Sequence, residues 1–176
     1  MKKKLPVIAV LAVLACTVVM GLYFWLRGPV GGESPYKTVN DLYEWEYMTF
    51  TADEAVYPAD AKTITLYFRN GAPDGVVQLS QQPPFQWYLE RQADGTWHSM
   101  RSRIELPQWR FREEDCTPTS TPSGAVPWNG GEFTWYCDID DYYATPLEAG
   151  TYRIVIPNCT HWDQTEHALA VEFEVA

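Results

Sequence analysis

Hydrophobic and polar residues alternate with a period of two along much of the chain beyond residue 60, the spacing of half-buried strands and not of helices. In Thr63–Arg69 the residues Ile64, Leu66 and Phe68 fall on one face and Thr63, Thr65 and Arg69 on the other, and Asn70-Gly71 then supplies turn chemistry. Phe85–Glu90 alternates likewise and runs into Ala93-Asp94-Gly95, which predicts a hairpin returning through Thr96-Trp97-His98. Further along, Phe133, Trp135, Cys137 and Ile139 oppose Thr134, Tyr136, Asp138 and Asp140. Tyr152, Ile154 and Ile156 oppose Arg153, and Leu169, Val171, Phe173 and Val175 oppose Glu172 and Glu174. Short strands divided by turn residues, with no convincing amphipathic helix among them, predict an all-β antiparallel β-sandwich; a barrel is the nearest alternative. Tyr152, at a strand start just after a loop, is placed as a corner tyrosine whose hydroxyl bonds back to nearby backbone.

The N-terminal residues follow a different pattern. Leu5–Leu26 carries no charged side chain, Lys2, Lys3 and Lys4 precede it, and Arg27 closes it. At about 1.5 Å per residue such a helix reaches roughly 33 Å, enough to cross the hydrocarbon core. The lysines favour a cytoplasmic N-terminus, so the pattern predicts a single-pass protein of the cell membrane with one transmembrane helix and its domain outside. Two cleaved forms compete with an uncleaved anchor: a secretory signal peptide, although the apolar run continues well past Ala15, and a lipoprotein signal, because Val13-Leu14-Ala15-Cys16 resembles a lipobox. On the anchored reading, residues 1–4 are a cytoplasmic n-region and 5–26 the membrane anchor. Residues 27–45 are a stalk rich in Gly, Pro and small polar residues, and 46–176 form the extracellular sandwich with an insertion around 100–130.

Several stretches carry a family resemblance: Met48-Thr49-Phe50-Thr51, Val56-Tyr57-Pro58, Lys62 to Asn70, Tyr88-Leu89-Glu90-Arg91, Asp94-Gly95-Thr96-Trp97, and Leu147-Glu148-Ala149-Gly150-Thr151-Tyr152-Arg153-Ile154. They resemble the bacterial immunoglobulin-like domains of anchored or secreted Gram-positive proteins. The resemblance spans Glu46 to Ala176 and thins between Met100 and Gly130. It implies an immunoglobulin-like sandwich that serves as an extracellular binding or spacer module without catalytic residues.

Beyond the N-terminal apolar run lie Cys116, Cys137 and Cys159, so one internal disulfide at most can form. If the strands ending near Ile139 and Ile156 are antiparallel neighbours, Cys116 and Cys159 lie at the same end of the sandwich and can pair, with up to about 4 kcal/mol of chain-entropy stabilisation. Cys137 alternates with Phe133 and Trp135 and is expected inside as a small hydrophobe. The rival pair, Cys116 with Cys137, requires Cys137 to point outward.

Charge narrows the function. The chain has 13 Lys and Arg against 23 Asp and Glu, a formal −10, and every charge in its first thirty residues is basic, so the remainder is more acidic still. Such a surface repels phosphate backbones, which excludes nucleic acid as a partner. No phosphate-binding glycine loop, nucleophile elbow, C-x-x-C pair or H-E-x-x-H occurs, and no cofactor is implied. Asp138, Asp140 and Asp141 place three carboxylates at one strand end, a weak calcium candidate that sets no metal requirement. Cys159, His161, Asp163 and His167 are potential zinc ligands read more simply as a solvated loop. Trp109, Trp128, Tyr136, Tyr142, Tyr143 and Trp162 stand outside the clear core stripes and form a candidate recognition surface for sugars or a protein. The sequence thus predicts a non-catalytic extracellular module tethered to the membrane by its N-terminal helix, with a cell-envelope protein or glycan as partner. The alternative is a lipoprotein-like ligand-binding subunit of the cell envelope. A hydrolase would need His98 or His161 beside an acid in a cleft.

Overall fold

The computed structural model describes residues 30–41, 46–71, 86–104, 107–108, 131–160 and 165–176. These residues form two β-sheets that do not close into a barrel. The smaller sheet has the order β2-β4-β7, from β2 (Met48–Ala52), β4 (Thr63–Asn70) and β7 (Gly131–Asp138), all antiparallel. The larger runs β1-β6-β5-β8-β9-β3, from β1 (Val30–Glu33), β3 (Val56–Tyr57), β5 (Tyr88–Ala93), β6 (Thr96–Met100), β8 (Gly150–Thr160) and β9 (Glu166–Val175).

The inward stripes read from the sequence meet in one core. Ile64, Leu66 and Phe68 of β4 and Trp135 and Cys137 of β7 pack with Leu89, Tyr152, Ile154, Ile156, Leu169, Val171 and Phe173 of the larger sheet. Burial of these side chains drives the two faces together, each large aliphatic or aromatic one contributing about 1.5–3 kcal/mol. Rings pack side by side within each sheet: Phe50 meets Trp135 edge-on at 5.1 Å in the smaller, and Tyr152 stacks on Phe173 at 6.0 Å in the larger. The Tyr152 hydroxyl donates to the Glu148 carbonyl at 2.8 Å and so ties the corner before β8 to the strand.

The β5–β6 hairpin closes where turn chemistry places it. Asp94 and Gly95 both have positive φ, 52° and 75°, and Ala93 faces Thr96, the two-residue turn that matches the twist of the strands it joins. The stripe that includes Ile139 ends differently. Strand β7 stops at Asp138, and Ile139–Tyr142 make the one-turn helix α1, which carries the chain from the smaller sheet to the larger. The Ile139 N–H donates to the Lys62 carbonyl at 2.6 Å, so Ile139 stays buried although its strand has ended.

Three expectations are corrected. The sandwich is not wholly antiparallel, because β3 pairs with β9 in parallel, Val56 opposite Glu174 and Tyr57 opposite Val175. What the structure supports is a mostly β fold of two sheets, and the immunoglobulin-like antiparallel β-sandwich preceded by a transmembrane helix is not retained. Among the described residues no helix is long and apolar enough to cross a membrane, and the 5–26 segment lies outside them. The membrane tether is set aside on that finding, and with it the membrane as partner and the single-pass location with an extracellular domain. The third correction concerns the disulfide. Cys137 and Cys159 are both free thiols, and Cys116 lies outside the described residues. The pairing argument needed β7 and β8 to be neighbours, whereas β7 pairs with β4 in one sheet and β8 lies between β5 and β9 in the other. Cys159 is instead buried at the irregularity between Ile156 and Cys159, its Sγ donating to the carbonyls of Ile156 and Pro157 at 3.6 and 3.9 Å.

Candidate functional site

Residues 30–41, read from composition as stalk, form part of the fold. Gly31 is the reason β1 can lie against β6: a Cβ there would sit 2.7 Å from the Ser99 carbonyl oxygen. Beyond β1 the chain crosses the outer face of the larger sheet as a strap. Tyr36 and Val39 pack on Val155, Ala168 and Ala170, a second small cluster on the side of the sheet opposite the main core. The strap is fastened by Asn40, whose side chain donates to the Ala170 carbonyl and accepts from the Ala170 N–H, both at 2.9 Å. Asn40 has φ 56°, a left-handed conformation that Asn tolerates better than most residues.

Beneath the strap lies an ion pair that alternation alone assigns to solvent. Arg153 of β8 and Glu90 of β5 face each other in register and are 3% and 0% exposed. The guanidinium donates from Nε and Nη2 to Glu90 Oε2 at 2.8 and 2.7 Å and from Nη2 to the Tyr36 carbonyl at 2.9 Å. It lies 4.5 Å over the Trp97 ring, a cation–π contact. Glu90 Oε1 is buried with no hydrogen-bond partner. The pair therefore fixes the backbone of the strap at Tyr36.

Tyr36 in turn forms one wall of a cleft of about 560 Å³. Its ring stacks on Tyr88 with centroids 5.9 Å apart and planes at 28°. Met100, Ile104 and Pro107 give the cleft apolar surface, and Arg101 and Arg103 bring two guanidinium groups; among its described lining residues there is no Asp or Glu. The turn bearing these arginines is anchored on α1: the Arg103 N–H donates to the Tyr142 carbonyl at 2.6 Å, Arg103 Nη1 to the Asp140 carbonyl at 3.3 Å, and Ser102 Oγ to the Tyr142 carbonyl at 3.2 Å. These donors satisfy carbonyls at the end of α1 that have no partner within it. Burial, reinforced by Tyr88 and Glu90, pushes the Tyr36 hydroxyl up to about 12, so it remains a proton donor at neutral pH.

On the other side of the strap lies a polar pocket of about 390 Å³. Asp41 Oδ1 bonds to His167 Nδ1 at 2.9 Å, and His167 Nε2 to Thr165 Oγ1 at 2.7 Å. A third hollow, about 360 Å³, lies on the outer face of the smaller sheet among Thr49, Thr51, Tyr67 and Thr134, where Arg69 and Glu132 pair at 3.9 Å.

Of the six aromatic candidates, the three that are described occupy different settings. Tyr136 is half-buried in β7 opposite Thr65, and Tyr142 on α1 meets Trp87 edge-on at 6.0 Å. Tyr143 is a core residue whose hydroxyl accepts the Leu89 N–H at 2.9 Å. Trp109, Trp128 and Trp162 lie outside the described residues. Asp138 accepts from the Thr63 hydroxyl at 2.7 Å, while Asp140 and Asp141 lie in the turn of α1. No group of three His, Cys, Asp or Glu able to hold a metal occurs among the described residues. Of the zinc candidates, Cys159 is buried with its thiol pushed up to about 12 by burial, and His167 is engaged by Asp41 and Thr165.

The sequence reading missed Tyr36, Tyr88, Arg101 and Arg103. The signal for Tyr36 was present: an aromatic residue and Val39 three positions on are apolar side chains that an unpacked stalk has no use for. No protein-family model matches the chain, and no curated protein is similar to it, so the resemblance to bacterial immunoglobulin-like domains rests on the residues quoted for it alone.

Proposed function

We propose that this protein is a non-catalytic recognition module that takes its ligand in the cleft between the strap and the 101–104 turn. The observation that carries this reading is the pairing of stacked Tyr36 and Tyr88 with two arginines around one hollow of about 560 Å³, a size suited to a small ligand or part of a longer one. Both sides of the hollow are held by hydrogen bonds: the strap by Arg153 and Asn40, the arginine turn by α1. Such a site needs little ordering on binding, which favours affinity. The test is amide chemical-shift mapping of the full chain against a panel of sugars and carboxylates. Shifts concentrated at Tyr36, Tyr88 and Arg101 to Ile104 are expected; a panel whose members perturb only other regions refutes the reading.

A second reading rests on the Asp41–His167–Thr165 chain, which has the order acid, imidazole, hydroxyl of a nucleophile relay. Its structural role is already evident, since Asp41 ends the strap and the bond to His167 ties that end to β9. Hydrolysis of a nitrophenyl ester separates the two. Turnover lost in both His167→Ala and Thr165→Val favours an enzyme, and no turnover above the buffer rate favours the recognition module.

A further inference from the structure

From the chemistry of the cleft we infer that its ligand is an acidic carbohydrate, a sugar bearing a carboxylate, with the ring against the tyrosine wall and the carboxylate at Arg101 and Arg103. This inference rests on the recognition reading above and names the class of its ligand. Charge is the first argument. In a chain of formal net charge −10, two guanidinium groups border one hollow whose described lining holds no carboxylate. Asp140 and Asp141 on the neighbouring α1 do not line it, and it is the Asp140 carbonyl that holds Arg103. Arg101 forms no ion pair among the described residues, so its charge is available. Arginine meets a carboxylate with two parallel N–H donors, a geometry that lysine cannot supply.

Surface is the second argument. Tyr36 and Tyr88 offer flat rings that can cover the C–H face of a pyranose, and the Tyr88 hydroxyl, which donates to Gln86 Oε1 at 3.3 Å, keeps its oxygen as an acceptor for a sugar hydroxyl. Met100 and Ile104 continue this apolar surface, and Ile104 is 55% exposed. A neutral sugar would leave both guanidinium groups without a matching charge, and a simple inorganic anion would leave the rings and Ile104 uncovered. A carboxylated sugar covers both.

The test titrates the full chain with trigalacturonate, its fully methyl-esterified form and maltotriose, following amide shifts and affinity by calorimetry. Trigalacturonate is expected to shift Tyr36, Tyr88 and Arg101 to Ile104. Esterification, Arg101→Ala and Tyr88→Ala are each expected to weaken it about tenfold or more, with Arg101→Lys intermediate and affinity falling as salt rises. Arg101 is exposed and makes no side-chain hydrogen bond to a described residue, so Arg101→Ala should unfold at the urea concentration of the parent, which separates lost affinity from lost fold. If the ester or maltotriose shifts the same amides as strongly, acid specificity is refuted while the recognition reading survives. If no probe of the wider panel moves those amides either, both fail.

Discussion

Replacing Arg153 with Met is expected to cost this protein about 3–5 kcal/mol, far more than an exposed ion pair is worth. The magnitude follows from what would remain. Glu90 is fully buried, its Oε1 has no partner, and its Oε2 receives two N–H donors from Arg153, so deleting the guanidinium leaves an uncompensated carboxylate under the strap. Replacing both partners in Glu90→Leu with Arg153→Met removes the buried charge altogether. The remaining penalty is then the lost donor to the Tyr36 carbonyl and the weak contact to Ser34 Oγ at 3.4 Å, about 1–3 kcal/mol, partly offset by apolar packing against Trp97. A double-mutant cycle should therefore show the double variant more stable than either single one, which requires a coupling larger than the Arg153→Met cost itself, above about 3 kcal/mol. Urea unfolding followed by tryptophan fluorescence measures each corner, with an unchanged denaturant slope confirming that the same surface is exposed. Single variants that cost under about 1 kcal/mol, or costs that simply add, would refute the claim that the strap seals this pair from water.

Three further outcomes follow. Gly31→Ala should release β1 from β6, because its Cβ would meet the Ser99 carbonyl at 2.7 Å; faster hydrogen exchange at Ser34 and Asn40, with β8 and β9 still protected, is the expected signature. Burial raises the hydroxyls of Tyr36, Tyr57, Tyr143 and Tyr152 above the ordinary value of 10.0, Tyr36 to about 12; the native state then holds these protons more tightly than the unfolded chain. Their contribution to stability is full below pH 10 and is lost as pH rises through each folded value, about 12 for Tyr36, so tyrosinate absorbance should show a class that ionises late, whereas uniform ionisation near 10 in the folded protein contradicts it. Cys137 and Cys159, both buried with raised thiols, should resist alkylation until the chain is unfolded and should need no reductant to react then; rapid native labelling of either one sinks the assignment.

Where one side of a strand faced the core, the sequence was legible. The stripes through Ile64, Leu66 and Phe68, through Trp135 and Cys137, and through Tyr152, Ile154 and Ile156 are all inward, and the Asp94-Gly95 hairpin and the bond from Tyr152 to Glu148 lie where local chemistry put them. A period of two, however, reports only that the faces differ, not that the polar one meets water. Glu90 and Arg153 sit on polar positions and are buried because a remote segment covers them. The disulfide failed for a related reason: end-to-end arguments hold for strands that are neighbours, and alternation does not say which strands are.

The composition of residues 30–41 misled in an instructive way. Gly reads as linker because it tolerates many backbone states and Pro because it interrupts regular structure, yet Gly31 is required here for a single close approach, and a residue selected for contact looks the same in sequence as one selected for freedom. The discriminating feature is what accompanies them. Tyr36 and Val39 bring apolar surface, and Asn40 brings a side chain able to bond both polar groups of one residue in a strand. Once docked, the same segment delivers Tyr36 to the cleft, so the carbonyl that Arg153 grips and the ring that faces the cleft belong to one residue. A change that loosens the strap should thus weaken ligand binding and expose the buried pair together, and Asn40→Ala, which removes the fastening to Ala170 and does not line the cleft, is the variant that separates this coupling from a direct contact.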